Sequence, residues 1–166
     1  MNIAVYGFMG VGKTTIGRML AERLGYEFID MDAEIEKREG ISINEIFRVH
    51  GESRFRQLES MLVEELSKRD GLIIACGGGT IADPYNAEIL RKSSRMVYLT
   101  ASIEEIVKRS RNDNVRPLLD VQNPEYEASE LYRRRIPVYI KYAEATVDTM
   151  EKTPDEVVER VLEELK

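Results

Sequence analysis

A single α/β domain with a mostly parallel, five-stranded sheet covered by helices on both faces is predicted, and three observations carry that prediction. Strand-like and helix-like segments alternate along the whole chain, the first strand runs straight into a glycine-rich loop, and 166 residues suit one core rather than two. No internal repeat, linker or low-complexity stretch divides residues 1–166.

Asn2 to Tyr6 is short, apolar and partly β-branched, and glycines at 7, 10 and 12 follow at once, so it reads as a buried strand entering a tight loop. From Lys13 onward Ile16, Leu20 and Leu24 recur at helical spacing, and Gly25 stands where a left-handed cap ends a helix. Tyr26 to Ile29 reads as a second strand, running into Asp30 and Asp32. Ser42 with Glu45 three residues on matches a capping box, so a helix starts there. A further helix over about Glu52 to Arg69 carries Phe55, Leu58, Leu62 and Leu66 on one face. Gly71 separates it from the strand-like Leu72 to Cys76, which ends in Gly77, Gly78 and Gly79.

Asp83-Pro84 supplies a cap and a first-turn proline, Met96 to Leu99 is another buried strand, and helical text returns at Ile103 to Arg109. Residues 110 to 123 hold Asn, Asp and Pro with little apolar periodicity and read as a surface loop able to move. Helix signals resume near Pro124. Ala145 to Val147 is a candidate last strand, and Thr153-Pro154-Asp155-Glu156 opens the closing helix with a cap and a capping-box glutamate.

Composition narrows the function classes. The chain is 43% hydrophobic and 33% charged, and 24 basic against 30 acidic residues leave a net charge of −6 at pH 7. That balance speaks against nucleic acid or anionic lipid as a partner, and no apolar run is long enough to cross a bilayer. One cysteine, Cys76, cannot form an intramolecular disulfide, and no Cys/His cluster has zinc spacing. No Lys or Arg precedes the apolar residues 1 to 12, so a secretory signal is not expected and the cytoplasm is. No large apolar stripe demands a dimer, so a monomer is expected.

Gly7 to Thr14 fits G-x-x-x-x-G-K-[ST] between a strand and a helix, the context in which this string cradles phosphates. Chance would place the four fixed positions in about one chain of this length in two hundred, so an ordinary glycine-rich turn is a poor alternative. The backbone at Gly10, Val11 and Gly12 is expected to wrap the phosphates, Lys13 to reach the β- and γ-phosphates, and the Thr14 hydroxyl to hold Mg²⁺. Thr15 is either a further phosphate contact or a polar residue of the first helical turn. The loop predicts binding of a nucleoside triphosphate and leaves a small-molecule kinase, a GTPase-type switch and an ATP-driven machine open. No D-x-x-G or N-K-x-D occurs, and the strand Leu72 to Cys76 ends in glycines instead of an acidic Walker-B residue. A kinase remains.

Its acceptor should sit at the carboxyl ends of the strands. Asp30 and Asp32, two residues apart past a strand, suit a magnesium or water ligand and a proton acceptor; the alternative for Asp32 is a helix cap. Three glycines ending a strand let a ligand lie against the backbone. Arginines for an anionic ligand occur at 54, 56, 109, 111, 116 and 133–135, and position does not choose among them.

Five separated motifs together resemble the shikimate kinases of the nucleoside monophosphate kinase-like group. They are G-F-M-G-V-G-K-T at 7–14, F-I-D-M-D at 28–32, G-E-S-R-F-R-Q-L-E at 51–59, G-G-G at 77–79 with Asn86 beyond, and R-P-L-L at 116–119 followed by R-I-P-V-Y at 135–139. The resemblance covers nearly the whole chain, with Thr14 in place of a common Ser and Val11 bulkier than usual. It implies a three-layer P-loop kinase fold with an acceptor-binding segment at about 32–60 and a mobile lid at about 110–124. It implies transfer of the γ-phosphate of MgATP to the 3-hydroxyl of shikimate, a step toward chorismate and the aromatic amino acids. Arg56 and Arg135 then look like the pair that grips the shikimate carboxylate, with Glu59 holding Arg56 from its own helical face. Asp32 resembles the residue that binds the hydroxyls and takes the acceptor proton, and Gly77, Gly78 and Gly79 would touch the ligand through backbone. Arg116 matches the lid arginine that closes over ATP, Arg109 the residue stacking near adenine, and Asp30 would join Thr14 at the metal. Rival readings are a kinase for another small hydroxy acid or a nucleotide, and an idle ATP-binding regulatory module.

Overall fold

The computed structural model describes residues 1–8, 11–110 and 124–166, so Gly10, Arg116 and nearly all of the expected lid at about 110–124 lie outside the described residues. In chain order the elements are β1 (Asn2–Tyr6), α1 (Lys13–Leu24), β2 (Glu27–Asp30), α2 (Met31–Glu39), α3 (Ile43–His50), α4 (Glu52–Leu66) and β3 (Leu72–Ala75). They continue as α5 (Pro84–Ser93), β4 (Ser94–Thr100), α6 (Ile103–Ser110), α7 (Pro124–Tyr142), β5 (Ala145–Asp148) and α8 (Pro154–Glu164). The five strands form one parallel sheet in the order β2-β3-β1-β4-β5.

That order fixes which helix lies on which face. Right-handed crossovers send α1, moving from β1 out to β2, to one side, and send α4 and α5, moving back through β3 to β4, to the other. Packing agrees: α1 lies against α8 and β3, while α4 lies against α5. Both faces are therefore covered, and β1, β3 and most of β4 are buried along their length, as their unbroken apolar text requires. Helix α1 approaches β2 closely because Gly17 has no side chain; a Cβ there would stand 2.6 Å from the Phe28 ring.

Several boundaries differ from expectation for identifiable reasons. β4 begins at Ser94, not Met96, because Ser94 and Arg95 pair with Asn2 and Ile3 in spite of being polar. α4 stops at Leu66, short of Arg69: the buried Asn2 amide donates to the carbonyls of Leu66 and Arg69 at 3.3 and 3.0 Å, while its oxygen receives the Leu72 N–H at 2.9 Å. One side chain thus ties the starts of β1 and β3 to the end of α4. The capping box at α3 is only half formed. Ser42 accepts the Glu45 N–H, but the Glu45 carboxylate goes to Arg48. Helix α2 follows β2 without a loop, and its N-cap is Asp30, whose carboxylate accepts the Ala33 N–H at 3.1 Å. Asp32 is therefore not the cap. Pro137 lies inside α7, where it removes a backbone donor from the very turn that carries Arg135 and Tyr139.

Where β1 leaves the sheet, Gly7 takes φ 153° and a Cβ there would be driven into the Leu99 carbonyl oxygen of β4. Backbone cannot yield as a side-chain end can. Gly7→Ala should cost about 2–3 kcal/mol, lowering Tm by roughly 5–10 °C at this chain length. A melting curve matching the wild type would show that the loop moves freely away from β4.

Candidate active site

The carboxyl ends of β2 and β3 and the start of α1 meet in one cavity of about 190 Å³ lined by Lys13, Thr14, Asp30, Asp32, Cys76 and Gly77 among others. It lies by the neighbouring strands β1 and β3, whose outgoing connections run in opposite directions to β2 and to β4, the crevice in which open parallel sheets bind ligands. Helix α1 opens onto it. Its cap, Gly12, has φ 97°, a conformation that admits glycine, and no side chain caps the helix and no acid stands in its first turn. Side-chain oxygens cap α2, α3, α5 and α8 instead. The first N–H groups of α1 and its dipole are thus left for an anion.

Lys13, half-buried, donates from Nζ to the Gly7 carbonyl at 3.0 Å. Thr14 Oγ1 donates to Asp30 Oδ2 at 2.8 Å, so one carboxylate both caps α2 and bonds the threonine of the loop. These two hard oxygen donors suit Mg²⁺, which commonly takes one or two protein ligands and completes its shell with phosphate and water. The described residues hold no group of three or more His, Cys, Asp or Glu arranged for a metal. Thr15 is exposed beside them, and Val11 is buried.

Beyond this pocket stand two arginines with different surroundings. Arg56, in α4, donates from Nη1 to Glu59 Oε1 at 2.7 Å, with the exposed Glu52 carboxylate 3.5 Å from its Nε. Burial works against its charge, yet Glu59 and Glu52 hold its pKa above the ordinary guanidinium value. Arg135, on α7, is 8% exposed and lies over the Phe8 ring at 5.5 Å. No carboxylate among the described residues forms an ion pair with it. Burial pushes its pKa down, as does Arg56, and the Tyr139 hydroxyl offsets part of the shift. Arg56 thus has the Glu59 and Glu52 carboxylates as partners, whereas the buried Arg135 guanidinium has none among the described residues and is left to be matched. Of the consecutive arginines 133–135 only Arg135 is buried.

The three glycines after β3 make room for these side chains one by one. A Cβ on Gly77 would stand 2.9 Å from Asp32 Oδ1 and 3.3 Å from Glu59 Oε2. On Gly78 it would be 3.0 Å from Arg135 Nη1, and on Gly79 2.5 Å from Arg56 Nη1. The run is no loose turn: Thr80 N–H closes onto the Gly77 carbonyl at 3.1 Å, and Tyr139 OH donates to the Gly78 carbonyl. Glu59, 1% exposed, has its pKa raised by burial and by Asp32, against the pull of Arg56 and Thr80. Cys76 is buried and its thiol is pushed up to about 12, so it is a structural residue and not a nucleophile.

Lys13, Asp30, Asp32, Glu59, Arg56, Arg135 and the three glycines, scattered over more than 120 positions, therefore converge. Arg109 engages Glu105 one turn back in α6 at 3.0 Å. His50 ends α3 on the surface. Sequence reasoning missed Thr80, for which no local signal exists, and gave no role to Tyr139, although its place four residues after Arg135 puts both on one face of a helix.

A strand leading into a phosphate loop, a helix start left open to an anion and an adjoining acidic-and-basic pocket define a P-loop nucleoside triphosphate-binding protein of the small kinase type. Comparison with known proteins narrows this to one family. The family model described as shikimate kinase matches residues 9–166. A shikimate kinase of Thiobacillus denitrificans is 45% identical over 148 residues, covering 89% of this chain and 81% of that one. One of Pseudomonas paraeruginosa is 43% identical over 166 residues, covering 100% and 96%. Among solved structures, a shikimate kinase from Acinetobacter baumannii in complex with shikimate superimposes with a TM-score of 0.94 at 40% identity, covering 99% of this chain and 92% of that chain. The chain belongs to the shikimate kinase family.

Proposed function

We propose that this member of the family transfers the γ-phosphate of ATP to the 3-hydroxyl of shikimate, giving shikimate 3-phosphate and ADP. The observation that carries the reading is the buried Arg135 guanidinium, which forms no ion pair with a described carboxylate and stands with Arg56 over the triple glycine beside Asp32, at the mouth of the phosphate loop. A buried guanidinium with no such partner suits an acceptor with a carboxylate, and the planar fork suits that carboxylate's shape.

In this reading Lys13 and the backbone of Gly10, Val11 and Gly12 bind the phosphates, with Thr15 as a further contact. Thr14 and Asp30 hold Mg²⁺, which when bound neutralises charge on the β- and γ-phosphates. Asp32 orients the acceptor hydroxyl and takes its proton, Gly77, Gly78 and Gly79 back the ring, and Glu59 fixes Arg56. Arg116, on a lid at about 110–124, closes over the nucleotide, and Arg109 packs near the adenine. Positioning and electrostatics supply the catalysis, since phosphoryl transfer asks for little covalent help. The protein works as a monomer in the cytoplasm on small molecules, with no nucleic-acid or membrane partner; no helix among the described residues is long and apolar enough to cross a membrane.

A coupled assay of ADP release with MgATP tests this by comparing shikimate, quinate, gluconate, AMP and no acceptor. Stimulation by shikimate alone is expected, and stimulation by another acceptor in its place would overturn the assignment. In the same assay Arg56→Ala should raise the shikimate KM strongly with a smaller change for ATP.

A further inference from the structure

We propose that Thr80 is a positioning residue for acceptor binding, its hydroxyl anchoring the Glu59 carboxylate that in turn sets the Arg56 guanidinium over Gly79. The inference rests on the reading that Arg56 grips the acceptor carboxylate.

The geometry is a relay of two short contacts. Thr80 Oγ1 donates to Glu59 Oε2 at 2.8 Å, and Arg56 Nη1 donates to Glu59 Oε1 at 2.7 Å. Each carboxylate oxygen thus has one donor, and neither Thr80 nor Glu59 is more than 1% exposed. Thr80 is itself rigid: its N–H closes onto the Gly77 carbonyl at 3.1 Å and its carbonyl accepts the Asp83 N–H at 3.3 Å. A fixed backbone point at the end of β3 therefore determines where a carboxylate on α4 can sit.

Without that hydroxyl, Glu59 Oε2 is a buried acceptor with no donor, a costly state that the side chain relieves by moving. A push is present as well. Asp32 Oδ1, Glu59 Oε2 and Thr80 Oγ1 share the concavity left by the missing Cβ of Gly77, at 2.9, 3.3 and 3.5 Å from where that atom would be. Two carboxylates facing one small space repel, and the Thr80 donor neutralises one side of the encounter. The other charges facing Glu59 are Arg56, itself paired with Glu52, and Arg135. Loss of the anchor lets Glu59 swing from Asp32, and Arg56 follows its partner away from Gly79. The hydrogen bonds of Lys13 to Gly7 and of Thr14 to Asp30 involve neither Thr80 nor Glu59.

Steady-state kinetics on the full chain with MgATP test this with Thr80→Val, Thr80→Ala and Thr80→Ser. Thr80→Val and Thr80→Ala should raise the shikimate KM about tenfold, the value of one hydrogen bond to a charged group, with kcat and the ATP KM within about twofold. Thr80→Ser, which keeps the hydroxyl, should return the KM to within about twofold of wild type. In a Glu59→Gln background Thr80→Val should add less than about twofold, because the residue it acts through is already altered. A wild-type shikimate KM in Thr80→Val and Thr80→Ala, while Arg56→Ala raises it, overturns the proposal and leaves the site reading intact. An equal loss in Thr80→Ser, or full additivity with Glu59→Gln, also overturns it, by assigning Thr80 to packing. An unchanged shikimate KM in Arg56→Ala removes the site reading and this proposal together.

Discussion

Lys13→Ala should lower kcat by about a hundredfold or more, the scale on which removal of a charge aimed at a transition state is felt. Lys13 opens α1 directly after Gly12, so its ammonium group is carried by the same turn whose open N–H groups are assigned to the phosphates. Its Nζ rests on the Gly7 carbonyl at 3.0 Å, inside the loop, and its field reaches far enough to act on the Cys76 thiol at the end of β3. In the proposed reading the ammonium group exchanges that carbonyl oxygen for a phosphate oxygen when the nucleotide binds. Lys13→Arg should rescue poorly, because a planar fork does not occupy the point-charge position of an ammonium. Saturating turnover assays decide it: a Lys13→Ala enzyme with wild-type kcat would remove the lysine from the mechanism.

Gly79→Ala should raise the shikimate KM by about a hundredfold, two lost hydrogen bonds between charged groups, with a smaller fall in Tm than Gly7→Ala. The added Cβ would stand 2.5 Å from Arg56 Nη1 and 2.8 Å from Cζ and Nη2. What it strikes is the far end of a flexible side chain, which can swing aside, so the cost to the fold is the weakened pairing with the buried Glu59 and not a displaced backbone. The displaced group is the guanidinium to which acceptor binding is assigned. Gly7→Ala is the converse case, since its Cβ strikes backbone and the cost falls on stability. Measuring KM and Tm for both variants separates the two effects. A Gly79→Ala enzyme with a wild-type shikimate KM would show that Arg56 does not act from its place over that glycine.

Much of this was legible along the chain because it is local. The phosphate loop is one contiguous stretch whose strand, glycines and helix are neighbours in sequence, and the caps at Ser42, Asp83 and Thr153 depend on residues two or three positions apart. Resemblance to a family picked Arg56 and Arg135 out of a crowd of arginines that position could not rank, whereas Asp32 already stood out two residues from Asp30 at the end of a strand. Helix α2 escaped notice because only Met31 and Ile35 of its nine residues are buried, too few for a readable stripe. The start of β4 escaped because Ser94 and Arg95 enter the sheet through backbone pairing, which leaves no mark on side-chain polarity.

Fold class, phosphate loop and family follow from the sequence alone, since periodicity, caps and contiguous motifs are short-range patterns written by neighbours. The meeting of Asp32 with Glu59 at Gly77, the matching of Gly78 to Arg135 and of Gly79 to Arg56, and the Thr80 anchor were settled only by tertiary structure. Asp32, Arg56 and Arg135 come from three helices and Thr80 from the turn after β3, and which of their atoms meet depends on strand order and helix placement. A buried charge is decided by what surrounds it in space, and burial is a property that no local stretch of sequence contains.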